Sequence, residues 1–263
     1  MEWEIFKQFR MKLRNAYELE LMRQSGQIAA AALKKAIDAI KVGITGLELD
    51  KIAQEEIYRL GGDLSYKTVP GYKHATCVTI NEQVVHGVPT DVKISSGDLI
   101  SIDLAVMYKG WHTDCAWSKL VDHESSIEGH EEKKRFLQVG EEALWNGIAQ
   151  AVDGGRVGDI SHAIQSKVEG VGYSVVRSLV GHGVGKKLHE DPQIPGYGQA
   201  GEGLKLRSGM SLAIEVIYAY GKSEVVLDSD GWTYKTADGS LAGLFEMTVV
   251  VGRDRAEVLT CLI

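Results

Sequence analysis

The stretch Ile100-Ser101-Ile102-Asp103-Leu104-Ala105-Val106-Met107-Tyr108-Lys109-Gly110-Trp111-His112-Thr113-Asp114 constrains the chain more than any other. Ile100, Ile102, Leu104 and Val106 alternate with Ser101, Asp103 and Ala105, the period of a strand with two unlike faces. Tyr108-Lys109-Gly110 reads as a short turn in which Gly110 supplies a positive φ. The stretch is therefore predicted to be a β-hairpin. Pairing Met107 with Gly110 sets Asp103 opposite Asp114. Two carboxylates directly across a ladder repel. A proton on one of them, or a cation between them, removes the repulsion.

Further carboxylates interrupt apolar strands elsewhere. Glu215 sits in Leu212-Ala213-Ile214-Glu215-Val216-Ile217, and Glu246 in Leu244-Phe245-Glu246-Met247-Thr248-Val249. His182 follows an apolar stretch, inside Gly181-His182-Gly183-Val184-Gly185. One such Glu alone would read as an outward-facing residue on a half-exposed sheet. Four carboxylates and an imidazole together read as a site, because buried charges of one sign need compensation. Two divalent ions would neutralise four carboxylates, and an oxygen-rich set with one imidazole suits a dinuclear hydrolytic centre.

The chain around these residues falls into two similar halves. Tyr17 to Lys41 carries a helical stripe of Leu21, Ile28, Ala32, Leu33, Ala36, Ile37 and Ile40, ended by Gly43. Thr45 with Glu48 is a capping box opening a shorter helix. Strands are predicted at Thr76–Ile80, Val84–His86 and the hairpin. Glu132 to Val152 and a shorter helix through Ile160, Ala163, Ile164 and Val168 repeat the plan. Strands follow at Ser174–Val180, Met210–Tyr220, Val225–Leu227, Trp232–Lys235, Leu241–Val251 and Ala256–Leu262. The expectation is an α+β fold with a central antiparallel sheet, outer helices and pseudo-twofold halves. Residues 1–16 are expected to form an N-terminal extension and 17–263 a single catalytic domain.

Composition narrows the function. A net charge of −7 argues against nucleic acid as the main partner. Cys77, Cys115 and Cys261 are scattered, with no CxxC, so neither a disulfide framework nor a zinc ribbon is expected. Reduced thiols suit the cytoplasm. Met1 to Arg14 lacks the apolar segment of a secretory leader, and no apolar run is long enough to cross a membrane. Gly181-His182-Gly183-Val184-Gly185 is not a dinucleotide fingerprint, since Lys186 stands where a third glycine is needed. Cys77 reads as apolar lining and Lys186-Lys187 as solvated. His112 shares strand parity with Asp114 and is a candidate supporting group. His74, His123, His130 and His162 are expected at the surface.

The order Asp103, Asp114, His182, Glu215, Glu246 resembles that of the methionine aminopeptidases, more closely the type I form. Asn81-Glu82-Gln83-Val84-Val85-His86-Gly87-Val88-Pro89, His189-Glu190-Asp191-Pro192 and Asp230-Gly231-Trp232-Thr233 add to the resemblance, which runs from about Tyr17 to the C-terminus. It implies the pita-bread fold and removal of N-terminal methionine from nascent polypeptides with small second residues. It implies two divalent ions (Co, Mn, Fe or Zn) held by Asp103, Asp114, His182, Glu215 and Glu246, with Asp114 and Glu246 bridging. Glu215 would also act as base, His86 would face the substrate amine, and His189 would contact the scissile carbonyl. Tyr72, Cys77, Leu188 and Trp232 would line the methionine pocket. A monomer is expected, with transient ribosome contact and no membrane partner. The chain departs from the family pattern at Val216, Met247, Ala105, Leu188, Val69 and Tyr66. Two other readings are a Xaa-Pro dipeptidase or aminopeptidase, whose extra N-terminal domain 263 residues would not accommodate, and a metal-free binding protein on the same scaffold.

Overall fold

The computed structural model describes residues 13–121 and 129–262. The first twelve residues of the expected extension, and His123, lie outside that range. Along the chain come α1 (Ala16–Ala39), α2 (Gly46–Arg59), β1 (Asp63–Leu64), a 3-10 turn (Ser65–Thr68), β2 (Thr76–Ile80), β3 (Gln83–Val85), β4 (Leu99–Tyr108) and β5 (Trp111–Leu120). Then follow α3 (His130–Ala149), α4 (Val157–Glu169), β6 (Ser174–Val175), β7 (Gly181–Gly183), β8 (Glu190–Ile194), β9 (Ser211–Ala219), β10 (Val225–Leu227), β11 (Tyr234–Thr236), β12 (Ala242–Val250) and β13 (Glu257–Val258).

The helices begin where local chemistry satisfies their free N–H groups. Asn15 with Glu18 makes a capping box for α1, and Thr45 with Glu48 makes another for α2. Each helix then buries its apolar stripe against the sheet.

The sheet runs β1-β4-β5-β12-β9-β7-β8, with β2 on β4, β6 on β9 and β13 on β12. A smaller sheet runs β10-β11-β3. All these pairings are antiparallel. Two cores lie on the helix side. Ile100, Ile102, Leu104 and Val106 meet Leu33, Ala36, Leu49 and Ile57 of α1 and α2. Ile214, Val216, Phe245 and Met247 meet Phe136, Leu144 and Ile164 of α3 and α4. The helix-side parity of β4, β5, β9 and β12 is thereby set, and the alternate residues face the other way.

The hairpin register differs from the expected one. Lys109 and Gly110 both have positive φ, 49° and 76°, as in a two-residue type I′ turn flanked by Tyr108 and Trp111. Met107 therefore pairs with His112, Ala105 with Asp114, and Asp103 with Ala116. The two aspartates are diagonal neighbours on one face instead of direct opposites.

Other expectations shift as well. The stretch expected as Ser174–Val180 is a strand only at Ser174–Val175, and β13 is far shorter than Ala256–Leu262. Strand β8 was not expected; it is a sheet edge, where Pro192 lacks only a donor that need not pair. His130 is buried instead of exposed. His74 is half-buried, with Nδ1 3.2 Å from Asp50 Oδ2.

Candidate metal centre and substrate pocket

The register writes the site. One row across four strands reads Asp103 (β4), Ala116 (β5), Glu246 (β12), Glu215 (β9). The next row joins Ala105 to Asp114 on one side and Thr248, Ala213 and His182 on the other. All these side chains share the face opposite the helices. Alanines at 105, 116 and 213 leave the space between the charged groups open.

Asp114, His182 and Glu246 place one ligand atom each within 4.8 Å of the others, and His182 Nε2 lies 3.9 Å from Asp114 Oδ2. The backbone carbonyl of Gly183 accepts from His182 Nδ1 at 2.9 Å, which leaves Nε2 with its lone pair toward the carboxylates. The glycines around His182 serve close packing: a Cβ on Gly183 would lie 2.2 Å from the Asp191 carbonyl of the neighbouring strand. Thr248 holds Asp114 by its main chain. Its hydroxyl accepts from Asp114 N and donates to Asp114 O, both at 2.9 Å. Tyr66, buried in the pocket wall, donates its hydroxyl to Asp103 Oδ1 at 2.7 Å.

The electrostatics call for positive charge. Burial pushes Glu215 up to about 8, with Asp103 adding. Burial pushes Asp103 up to about 6 against the pull of the Tyr66 hydroxyl. Asp114 and Glu246 are pushed well above the usual carboxylate range by burial and then by their carboxylate neighbours. Burial, then His189, pushes His182 down to about 4, so the imidazole is neutral and free to ligate. Glu246 Oε1 is buried without a hydrogen-bond partner among the described residues. An orphaned carboxylate oxygen facing three other carboxylates and a neutral imidazole fits divalent cations with oxygen and nitrogen ligands.

A pocket of about 330 Å³ opens on these rows, and all five residues line it. Its apolar wall is a separate cluster of Tyr66, Cys77, Ala105 and Leu188 with Val69 and Tyr72. Asp50 of α2 builds one side, accepting from the main-chain N–H groups of Ala75 and Thr76 and so fixing the start of β2 and the place of Cys77. Tyr72 donates to the Thr76 carbonyl at 2.7 Å and meets Trp232 edge-on at 5.1 Å. Asp230 presents Trp232 by accepting from the N–H groups of Trp232 and Thr233. Burial pushes the Cys77 thiol up, consistent with lining and not with a nucleophile. His86 and His189 line the pocket while remaining exposed. The chain leaves β3 at His86 with a left-handed φ of 57°, which ends the expected strand one residue early and sets the imidazole against Tyr234.

The five acidic and imidazole groups, His86, His189, Tyr72, Cys77, Leu188 and Trp232 all line this pocket as expected, while Val85, Ser178, Leu179, Val180, Ile217 and Leu244 line it without having been marked for it by any pattern. The hydroxyls of Tyr66 and Thr248 carry no pattern that distinguishes them from packing residues. His112, expected from its strand parity to be a supporting group, is buried with its Nδ1 2.6 Å from Ser65 Oγ.

A model described as metallopeptidase family M24 matches residues 20–252. The chain belongs to metallopeptidase family M24. It is 42% identical over 243 residues to "Methionine aminopeptidase 1" of Bacillus subtilis (strain 168), covering 92% of this chain and 96% of that one. A solved methionine aminopeptidase from Thermotoga maritima superposes with a TM-score of 0.90 at 40% identity, covering 95% of this chain and 99% of that one. A prolidase from Pyrococcus furiosus shares the fold at a TM-score of 0.73 and 21% identity, covering 95% of this chain and 65% of that one. This M24 metallopeptidase thus has the α+β pita-bread architecture, and its buried Asp–His–Glu cluster is able to hold metal ions. No helix among the described residues is long and apolar enough to cross a membrane.

Proposed function

We propose that this M24 metallopeptidase removes N-terminal methionine from polypeptides with small second residues. The observation that carries the reading is the junction of an apolar, aromatic-walled pocket with two rows of carboxylate and imidazole groups on one sheet face. Relatives at about two-fifths identity over nearly their whole length bear the name methionine aminopeptidase, which supports the substrate assignment.

In this reading Asp103, Asp114, His182, Glu215 and Glu246 would hold two divalent ions, drawn from Co, Mn, Fe or Zn. When bound, such ions supply Lewis-acid polarisation and lower the pKa of water. Glu215 accepts the proton of the attacking water and passes it to the leaving amine. His189, whose pKa is lowered by partial desolvation against the pocket, donates its N–H toward the developing oxyanion. His86 faces the α-amine and the scissile peptide. Tyr72, Cys77, Leu188 and Trp232 receive the methionine side chain, with Tyr66 and Val69 completing the wall. Nascent chains are the natural source of such substrates, and we propose that a monomer meets them in the cytoplasm through transient ribosome contact.

The test is cleavage of Met-Ala-Ser, Met-Arg-Ser and Ala-Pro peptides in excess Mn or Co. Release of methionine from Met-Ala-Ser, with little from Met-Arg-Ser and no cut of Ala-Pro, is the expected result. Equal cleavage of the Met-Ala and Met-Arg peptides contradicts it, and preference for Ala-Pro favours the prolidase reading. His189→Ala should retain metal and fold while turnover falls about 10²–10³-fold, the usual loss for an oxyanion donor.

A further inference from the structure

We propose that Arg14, from the segment before the first helix, is a positioning residue for His189. The inference rests on the role given to His189 above. The stretch between β7 and β8 carries both Leu188 of the pocket wall and His189. Its two ends are tied by one guanidinium. Arg14 donates through a terminal nitrogen to Glu190 Oε2 at 2.6 Å and to the Val184 carbonyl at 3.3 Å, and through Nε to Ser211 Oγ at 3.0 Å. Ser211 in turn donates to the Val184 carbonyl at 2.5 Å. The other oxygen of Glu190 accepts from Lys187 N at 2.9 Å, so the carboxylate links Arg14 to the main chain beside Leu188.

Arg14 is placed for this by its neighbours. The Asn15 capping box fixes the start of α1, and Arg14 N donates to the Gly209 carbonyl at 2.9 Å. The side chains of Arg14 and Glu190 are each only 5% exposed, and the guanidinium lies 5.3 Å from the centre of the Trp111 ring. Gly185 makes the passage possible, since a Cβ there would sit 2.4 Å from the guanidinium. A planar fork that reaches three acceptors, on β8, on β9 and on the residue just after β7, fixes a loop in a way that a flexible ammonium does not. His189 is covalently next to Glu190, so the clamp determines where its imidazole points. The residue lies within the first sixteen, the part that sequence patterning separates from the catalytic domain.

A double-mutant cycle on the full-length, metal-loaded protein tests this. R14A, H189A and the double variant are assayed for kcat and KM on Met-Ala-Ser in excess Mn, with R14K alongside and folding followed by thermal melts. Loss of orientation at a reacting group costs up to about 10²-fold, so R14A should lower kcat by about ten- to a hundredfold. The same change in the H189A background should lower kcat less than twofold. R14K should recover part of the loss, and if R14A does not fold the cycle is run with R14K. Equal factors in the two backgrounds, or an R14A protein that folds and turns over like the parent, would overturn the inference while leaving the functional reading intact. A parent that does not cut Met-Ala-Ser would defeat the functional reading and this inference with it, and an H189A protein that turns over normally would remove the role of His189 and with it this inference alone.

Discussion

The two carboxylate pairs of the site are built differently. Asp103 and Asp114 come from one hairpin and sit diagonally, each held by protein. Asp103 accepts the Tyr66 hydroxyl, and Asp114 accepts from Cys115 N at 3.1 Å while Thr248 clamps its main chain. Glu215 and Glu246 come from strands β9 and β12 and face each other directly across the ladder. Burial and neighbouring negative charge push both upward, as they do Asp114, and Glu246 Oε1 has no hydrogen-bond partner among the described residues to offset the push. The hairpin pair is preorganised by the protein. The glutamate pair has no such tie and depends on a counter-charge.

The largest expected effect is that of removing a preorganised carboxylate from the proposed ligand set. Asp114→Ala should abolish activity together with bound metal, since the remaining carboxylates cannot hold both ions. Elemental analysis showing two metals retained would break the assigned contrast.

Removing the metal should be felt through the glutamates, and with a definite pH dependence. In the stripped fold Glu215 is raised to about 8. A raised carboxyl favours the fold below its unfolded value and loses that contribution as pH climbs through the folded one. Between pH 6.5 and 8 the stripped protein should therefore lose stability, at up to about 1.4 kcal/mol per pH unit for each such group. The loaded protein carries no such penalty. The gap in Tm between loaded and stripped protein should widen over this window, and metal affinity should rise with pH as protons are displaced. A gap that narrows would mean the glutamates are not the groups that titrate.

Smaller effects belong to the supports of the aspartates. Thr248→Val leaves the buried N–H and carbonyl of Asp114 without the hydroxyl, at about 1–3 kcal/mol for each group left unpaired. A fall in Tm with weakened metal binding is expected, and an unchanged melt would show that Asp114 is held otherwise. Tyr66→Phe should do least, because only one hydrogen bond to a charged oxygen is lost, worth about 1.5–3 kcal/mol before relaxation. Its expected mark is a modest change in metal affinity with methionine-peptide KM nearly unchanged; a large rise in KM would move Tyr66 from support to specificity.

Much of this was legible in the amino-acid order, for a physical reason. Glu215 and Glu246 each interrupt an apolar strand, Asp103 and Asp114 fall close together on one hairpin, and burying such charges requires compensation. The helices announced themselves through stripes and through the Thr45–Glu48 box. Register was not legible, because a left-handed Lys109 carries no signature and one residue of turn length moves every partner. Apart from His112, whose strand parity marked it, supports were not legible either. Arg14 meets Ser211, Val184 and Glu190 across 197, 170 and 176 residues of chain, and nothing local marks it. Edge strand β8, with Pro192 and no alternation, looked like loop.

The contrast between a pair held by protein and a pair held by counter-charge meets the chemistry at Glu215, which is assigned both a ligand's and a base's work. Glu215→Gln separates the two, because the amide oxygen still coordinates weakly but takes no proton at neutral pH. The measurement is kcat on Met-Ala-Ser in excess Mn or Co, with metal content determined in parallel. The predicted result is an occupied site and a kcat lowered about 10²–10⁴-fold, the loss typical of a removed general base. A variant that keeps its metal and more than about a tenth of the parental kcat, well short of that loss, would contradict the assignment and place the base elsewhere.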